Sequence, residues 1–316
     1  MMQIGVDFGG TKIEAAALAP DGRFLARRRV GNPGIYDAAI DAVRALVEAI
    51  ENDIGARGTV GVGTPGSMSL SSDTIRNANS IWLNGRRFRD DLAAALGRDI
   101  RMANDANCLA LSEASDGATR DAAVAFAVIL GTGCGGGLTV NGRLIEGANG
   151  IGGEWGHTPL PWAKGDEIDG PECWCGKRGC LETWISGSGL SRDFEAATGV
   201  RQSAQSIVAA TAAGNSAEAS AALERYIDRL GRALAVVCNI VDPAVIVLGG
   251  GLSNVAAIYE QVPSIVASYI FSEEWNSRIA PARWGDSSGV RGAARLWPAA
   301  KASEPSAFNA ALAKSR

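Results

Sequence analysis

The chain has 316 residues, of which 47% are apolar and 20% charged, and its formal net charge at pH 7 is −4. This length suits one large domain or two of ordinary size, and the apolar fraction suffices for a large core. The acidic balance predicts no nucleic-acid partner, and no apolar run reaches the ~18 residues of a membrane-spanning helix. The first residues lack the regions of a signal peptide, so we expect a cytoplasmic protein with no membrane partner.

The first motif is a glycine turn between two apolar segments, "QIGVDFGGTKIEAAAL" at residues 3–18, which predicts a strand, a turn and a second strand. Glycines let backbone N–H groups converge on an anion, and Thr11 and Lys12 add a hydroxyl group and a cation. The order Thr-Lys differs from a P-loop, and no helix is predicted after it. We expect Asp7, at the end of the first strand, to orient Mg²⁺ or a water molecule.

Three further segments follow before the next polar motif. "RFLARRRV" at residues 23–30 predicts a strand with a solvated basic face, and "TVGVGTPGSMS" at 59–69 predicts a short buried strand that ends in a turn. Between them, residues 36–55 predict a helix that ends at Gly55. Its apolar residues recur at helical spacing: Ile40, Val43, Val47, Ile50 and Ile54.

The segment "NDANCLALSEASDG" at residues 104–117 predicts a helix with Asn104 and Asp105 at its entrance. A carboxylate at such a position can accept a proton from a bound hydroxyl group, and we predict that Asp105 is a general base. The alternative is that Asp105 only caps the helix.

Two more glycine-rich turns follow predicted strands, "GTGCGGG" at residues 131–137 and "LGGGLS" at 248–253. The first matches the G-x-G-x-x-G pattern of a dinucleotide fold, with Glu154 about 20 residues further on. That match is weak because the next segment predicts a strand and not a helix. Any one of the turns could be a simple hairpin, but three in one chain favour phosphate binding.

A metal site is predicted from the only histidine and three of the six cysteines. His157, Cys173, Cys175 and Cys180 form the pattern H-x15-C-x-C-x4-C, which supplies the four ligands of a closed, structural zinc site. The alternative is a surface loop of reduced cysteines. The other three cysteines lie in apolar or glycine-rich segments and are expected to be small core residues: Cys108, Cys134 and Cys238.

Several polar side chains could bind a ligand that carries neighbouring hydroxyl groups. The candidates are Asn104, Asp105, Glu154 and Glu182, together with the ring of His157, Asn79 as a further contact and Gly66 as a point of close approach. We infer two roles for His157, one nitrogen on zinc and the other facing the bound ligand.

The repeated plan of strand, glycine turn and strand suggests two related α/β halves. We predict an N-terminal α/β domain at residues 1–118, joined by a C-terminal helix at about 289–300. A larger α/β domain at 119–288 then contains the zinc loop at 157–180. The tail at 301–316 is rich in alanine and lysine and is expected to be partly disordered.

Seven motifs occur in a fixed order: "GVDFGGTK", "GTPG", "NDANCLALSEA", "GTGCGGG", "GEWGH", "CWCGKRGC" and "LGGGLS". From residue 4 to about residue 297 the chain resembles the sugar kinases of the ROK family. The resemblance implies an actin-like ATPase (ribonuclease H-like) fold, in which two α/β domains enclose a cleft. It also implies a homodimer.

The resemblance implies that the first two glycine loops hold the ATP phosphates and that the third lies by the nucleoside. The residues expected to bind ATP are Asp7, Gly9, Gly10, Thr11, Lys12, Gly131, Thr132, Gly133, Gly249, Gly250 and Gly251. It further implies that Asn104 and Asp105 bind sugar hydroxyls and that Asp105 takes the proton. The cofactors expected are ATP, Mg²⁺ and a structural Zn²⁺ ion.

The chain looks most like the fructokinase and mannokinase branch, so the expected reaction is the conversion of fructose to fructose 6-phosphate, with mannose as a possible second substrate. A glucokinase or an N-acetylglucosamine kinase would share all the catalytic motifs. An alternative outside the enzymes is a regulator that binds a sugar and catalyses no reaction. The first predicted strand begins at Gln3, which leaves no room before it for a helix-turn-helix.

Overall fold

The computed structural model describes residues 2–69, 71–78 and 80–298. The predicted sugar contact Asn79 and the predicted tail at 301–316 lie outside the described residues. Within them, no helix combines the length and the apolar character needed to cross a membrane.

The described residues form strands and α-helices in a mixed order, with three strands first and four consecutive α-helices in the second half. The strands are β1 Gln3–Phe8, β2 Lys12–Leu18, β3 Phe24–Gly31, β4 Thr59–Thr64, β5 Ser67–Met68, β6 Ile75–Arg76, β7 Ile100–Asn104, β8 Val124–Leu130, β9 Cys134–Val140, β10 Arg143–Leu144, β11 Val245–Gly249 and β12 Arg278–Pro281. The helices are α1 Tyr36–Ile54, α2 Phe88–Leu96, α3 Asp105–Asp116, α4 Glu182–Ile185, α5 Gly187–Thr198, α6 Ala204–Ala212, α7 Ala217–Val241, α8 Ala256–Tyr269 and α9 Ser288–Arg295.

Two five-stranded sheets follow the same plan. The first has the order β3-β2-β1-β4-β7, and the second has the order β10-β9-β8-β11-β12. In each, an antiparallel three-stranded meander adjoins two parallel strands. We call the first sheet with α1, α2 and α9 the N-terminal unit, and the second sheet with α4–α8 the C-terminal unit. The internal repeat is thus visible in the topology, while the exact domain limits stay a prediction.

Each sheet has its own apolar core. Ile4, Val43 and Phe88 pack together in the N-terminal unit, and Tyr226 and Leu234 belong to the core of the C-terminal unit. The solvated basic strand is confirmed because most of β3 is exposed. Cys108, Cys134 and Cys238 are buried, as the sequence predicted.

The C-terminal helix α9 lies directly against the N-terminal sheet. A Cβ atom on Gly5 would overlap the carbonyl oxygen of Val290, and one on Gly61 would overlap that of Ala293, so glycine permits this packing. Helix α9 ends at Arg295, before the predicted end at about residue 300, and residues 299–300 lie outside the described residues. Pro298 disfavours helical backbone at the residue before it, which explains the early end.

Helix α3 joins the two units, because it packs on α9 and also on β8 and β9. Glu113 on α3 is fully buried and accepts hydrogen bonds at both places where the chain crosses between the units. The donors are the Ala118 N–H at the first crossing and the Arg283 N–H, the Trp284 N–H and the Ser288 hydroxyl at the second. The buried carboxylate of Glu113 therefore anchors α3, the helix that begins at Asp105, to both segments that connect the two units.

Candidate active site

A cleft between the two units contains most of the polar residues that the sequence analysis selected. Its inner part is a cavity of about 740 Å³. The selected residues that line it are Gly66, Asn104, Asp105, Gly131, Thr132, Gly133, Glu154, His157, Cys173 and Glu182. A second cavity of about 970 Å³ adjoins it and shares Gly131 and Thr132 with it.

Asp105 is the first residue of α3 and is exposed at the floor of this cleft. The alternative role as helix cap belongs instead to Asn104, whose Oδ1 accepts a hydrogen bond from the Asn107 N–H at 2.7 Å. Asp105 Oδ1 accepts from the Ala106 N–H at 2.8 Å. Because capping uses Asn104 Oδ1, the Nδ2 group is the part of Asn104 left for a sugar hydroxyl.

The electrostatics of the cleft floor favour a basic carboxylate. Asp105 keeps surface open to the cleft, but the protein atoms packed around the cleft floor partly desolvate its carboxylate and so raise its pKa. The negative charges of Glu154 and Glu182 raise it further, against the lowering effect of the Ala106 N–H. Burial also raises the pKa of Glu154, while His157 and Arg76 lower it. A raised pKa makes Asp105 a better proton acceptor at neutral pH than an ordinary aspartate.

Glu182 is held from two sides at the end of the zinc loop. Its Oε2 accepts a hydrogen bond from the Cys134 N–H at 3.0 Å, and its Oε1 accepts one from the Trp174 Nε1–H at 2.6 Å. A Cβ atom on Gly133 would lie 2.5 Å from Glu182 Oε2, so this turn needs glycine for the carboxylate to approach. The second glycine loop therefore binds one carboxylate of the protein itself.

Three of the predicted ATP contacts line the adjoining 970 Å³ cavity: Gly131, Thr132 and Gly251. Gly249 is instead buried in β11, and the lining of the cavity does not include Gly250. Gly250 has a φ of +85°, and a Cβ atom there would lie 2.6 Å from the Leu130 carbonyl oxygen. Glycine at 250 thus serves close packing, whereas Gly251 opens onto the cavity.

The beginning of α5 lies at the junction of the two cavities, and none of the sequence motifs predicted it as part of the site. Ser188 and Arg192 line both cavities, and the Gly187 N–H donates to the Gly131 carbonyl oxygen at 2.7 Å. The N–H groups at a helix N-terminus favour anions. The run "SGSG" with the cap Ser186 before a helical pattern is the signal that could have revealed this site.

The first glycine loop does not line either cavity. Gly10, Thr11 and Lys12 are exposed at the turn between β1 and β2, and the Gly9 N–H donates to the Lys12 carbonyl oxygen at 3.0 Å. Asp7, by contrast, is close enough to Asp105 for the charge of that residue to affect it. Burial raises its pKa to about 6, and the charges of Asp105 and Glu14 add to this against Lys12 and Arg29. A carboxylate whose pKa is raised by a neighbouring carboxylate is suited to a site that also holds a cation.

We expect Asp7 to make stability fall with increasing pH. Its pKa is about 3.8 in the unfolded chain and about 6 in the fold, so the folded state binds more protons between these values and unfolding becomes easier as pH rises through about 6. The difference corresponds to at most about 3 kcal/mol. Asp7→Asn should remove this part of the pH dependence and stabilise the protein above pH 6, in urea titrations without metal or nucleotide. An unchanged slope between pH 4 and 7 would contradict this pKa.

The four predicted zinc ligands come together in the structure. The ligand atoms of His157, Cys173, Cys175 and Cys180 all lie within 4.8 Å of one another. The His157 Nδ1 lies 3.6 Å from the Cys173 Sγ, and the Cys175 and Cys180 Sγ atoms are 3.6 Å apart. Ligands placed 2.3 Å from a tetrahedral ion would be about 3.8 Å apart, so the donor set fits zinc in both chemistry and spacing.

The zinc loop and the cleft share His157. Its Nδ1 faces the cysteines, and the residue also lines the inner cavity, so the Nε2 is the nitrogen available to the cleft. The two roles inferred for the ring, on zinc and on the sugar, stay a prediction. Gly176 and Gly179 have φ values of +82° and +68°, which glycine adopts most readily, so the loop between the cysteines needs both glycines.

The sequence model of the ROK family matches residues 3–300. A protein of Vibrio parahaemolyticus named N-acetyl-D-glucosamine kinase is 39% identical over 300 residues, which span 93% of this chain and 99% of that protein. A protein of the same name from Pectobacterium carotovorum is also 39% identical and covers 93% of this chain and 98% of its own length.

Solved structures show the same similarity over nearly the whole chain. A ROK hexokinase from Thermus thermophilus has a TM-score of 0.82 at 31% identity, covering 93% of this chain and 97% of that chain. A ROK family glucokinase from Streptomyces griseus, in complex with glucose and AMPPNP, has a TM-score of 0.79 at 26% identity and covers 94% and 99%. The predicted α/β fold of the actin-like ATPase class is confirmed.

Proposed function

The chain belongs to the ROK family and is a sugar kinase, and from this premise we propose that it transfers the γ-phosphate of ATP to a hydroxyl group of N-acetyl-D-glucosamine. The observation that carries the reaction type is the position of Asp105, which begins α3 at the floor of the cleft between the carboxylates of Glu154 and Glu182 and the glycine loop at 131–137. The choice of sugar rests on the relatives named N-acetyl-D-glucosamine kinase.

The expectation of fructose as the first substrate finds no support in these relatives. Proteins that are 37–39% identical over 300 residues carry the name N-acetyl-D-glucosamine kinase, the alternative that the sequence analysis kept open. A kinase that prefers fructose and one that prefers N-acetyl-D-glucosamine would use the same catalytic groups. We therefore place N-acetyl-D-glucosamine first and keep fructose, mannose and glucose as competing substrates in the assay.

Asp105 acts as the general base in the proposed reaction. Its carboxylate accepts the proton of the sugar hydroxyl as that oxygen attacks the γ-phosphorus of ATP, and the bond to the β-γ bridging oxygen breaks. Glu154, Glu182 and the His157 Nε2 accept or donate hydrogen bonds to the other hydroxyl groups. Gly66 has a φ of +76° and lies at the same cavity, but a Cβ atom there would lie 2.4 Å from the Arg76 carbonyl oxygen, so glycine at this position serves close backbone packing.

ATP is proposed to occupy the larger adjoining cavity. Gly131, Thr132 and Gly251 line it, and the first turn of α5 presents N–H groups to an anion there. Mg²⁺, when bound with ATP, would neutralise the phosphate charge, and Asp7 is the carboxylate placed to orient it. The exposed loop with Gly10, Thr11 and Lys12 would reach the phosphates only when the units close over the cleft.

We further propose that the cluster of His157, Cys173, Cys175 and Cys180 binds a structural zinc ion. Four protein ligands leave no open position on the ion, so its role is to hold the loop. Because His157 belongs to both the cluster and the cavity, the ion would fix one wall of the sugar site. The homodimer and the cytoplasmic location stay predictions, and sedimentation of the purified protein would check the first.

A coupled assay of ADP release with ATP and Mg²⁺ tests this function. N-acetyl-D-glucosamine, fructose, mannose and glucose are compared at equal concentrations, with a reaction without sugar as the control for ATP hydrolysis. The highest kcat/KM for N-acetyl-D-glucosamine is the expected result. A preference for fructose would restore the first expectation from the sequence. Sugar binding without turnover would instead support the non-catalytic regulator.

A further inference from the structure

Trp174 is a large side chain in an unusual position. It lies between the predicted ligands Cys173 and Cys175, and 60% of it is exposed, whereas most tryptophans are largely buried. It lines the inner cavity of the cleft together with Asp105. It also lines a neighbouring cavity of about 510 Å³, whose other lining residues come from the N-terminal unit and include Asn77 and Ile81. Trp174 therefore stands between the units at the mouth of the sugar site.

The indole group contacts two of the proposed sugar-binding residues. Its Nε1–H donates to the Glu182 Oε1 at 2.6 Å, and its ring meets the His157 ring edge-on with centroids 4.8 Å apart. The other Glu182 oxygen is held by the Cys134 N–H. Because both carboxylate oxygens then have a fixed donor, the orientation of Glu182 depends on Trp174.

The bond to Glu182 uses the only polar group of the indole. The faces of the ring remain apolar, and the residue is exposed on the side of the cleft. A hexose presents C–H groups as well as hydroxyl groups, and an aromatic face suits that apolar part. The same side chain can thus orient a hydrogen-bonding carboxylate and pack against the ring that this carboxylate binds.

We propose that Trp174 is a specificity-determining residue for the sugar. It positions Glu182 and His157 and forms an apolar wall of the sugar site, and it has no contact with the cavity assigned to ATP. This proposal rests on the proposed function of the cleft. The competing interpretation is that Trp174 only stabilises the zinc loop. A substitution would then change the melting temperature and the zinc content, whereas a role in specificity predicts a change in the KM for the sugar.

The experiment compares Trp174→Ala and Trp174→Phe with the control Trp162→Ala. Trp162 is also exposed, at 47%, but it packs on Tyr269 and does not line the inner cavity. We expect Trp174→Ala to raise the KM for the sugar about 10-fold or more, because an apolar contact and a carboxylate orientation are lost. Trp174→Phe keeps an aromatic ring, so its KM for the sugar should lie between those of the wild type and Trp174→Ala. The KM for ATP, the melting temperature and the zinc content should stay at their wild-type values in all three variants.

Two results would overturn the proposal. One is a sugar KM in Trp174→Ala within twofold of the wild type. The other is a parallel loss of zinc and of melting temperature, which would mean that Trp174 only supports the loop. Calorimetric titration of the four proteins with N-acetyl-D-glucosamine separates this question from the proposed function. If the wild type binds the sugar without turnover, the proposed kinase function is wrong. The ratio of the sugar Kd of Trp174→Ala to that of the wild type still decides the role of Trp174.

Discussion

Asp105→Asn is expected to lower kcat by about 10²–10⁴-fold, the usual contribution of a general base. The amide has nearly the shape of the carboxylate and can still accept the Ala106 N–H bond, so the start of α3 should be unchanged. It cannot accept a proton from the sugar hydroxyl at neutral pH. The folded variant should therefore still bind the sugar and ATP, and the loss should appear in kcat and not in the Kd of either substrate.

The measurement is steady-state ADP release, together with calorimetric titration of each substrate. Asp53→Asn is the matched control, because Asp53 pairs with Arg28 on the surface of the N-terminal unit, remote from both cavities. This variant should retain kcat within twofold of the wild type. A wild-type kcat in Asp105→Asn would remove Asp105 from the role of base and direct attention to Glu154, a second carboxylate of the inner cavity whose pKa burial raises.

Removal of the proposed zinc ion is expected to weaken folding and sugar binding together. Cys175→Ala, or a strong chelator, should lower the melting temperature by about 5 °C or more, which corresponds to a few kcal/mol for a domain of this size. The Kd for the sugar should rise about 10-fold or more, because the His157 ring and the loop with Trp174 lose their fixed positions. Metal content by mass spectrometry, thermal unfolding and calorimetric titration measure the three effects.

Cys238→Ala is the control for this prediction, since Cys238 lies in the buried part of α7 and is not among the clustered ligands. It should keep the metal and the sugar affinity. Added zinc should restore a chelated wild type but not Cys175→Ala. A metal-free wild type with full stability and affinity would refute the proposed role of the ion, whereas a different bound metal would refute only its identity.

The glycine loops show where inference from sequence reaches its limit. The run at 131–137 suggested phosphate binding, but several of its glycines are required by packing. A Cβ atom on Gly137 would lie 2.7 Å from the Ala106 carbonyl oxygen, and one on Gly136 would lie 2.7 Å from that of Gly153. Glycine permits close approach to a phosphate and close approach to a helix equally well. The sequence cannot distinguish these uses because the approaching group is distant in the chain.

The features that depend on local geometry could be predicted from the sequence. The apolar strands β1 and β2, the helix that begins at Asp105 and the ligand spacing of the three cysteines each involve residues that are close in the chain. Three other features became visible only in the folded chain: Asn104 is the cap, Glu113 binds both segments that connect the units, and Trp174 holds Glu182. The cap depends on which of the adjacent side chains of Asn104 and Asp105 turns toward the helix. The contacts of Glu113 and Trp174 join residues that are distant in the chain and meet only when helices, strands and loops pack together. No local pattern encodes them.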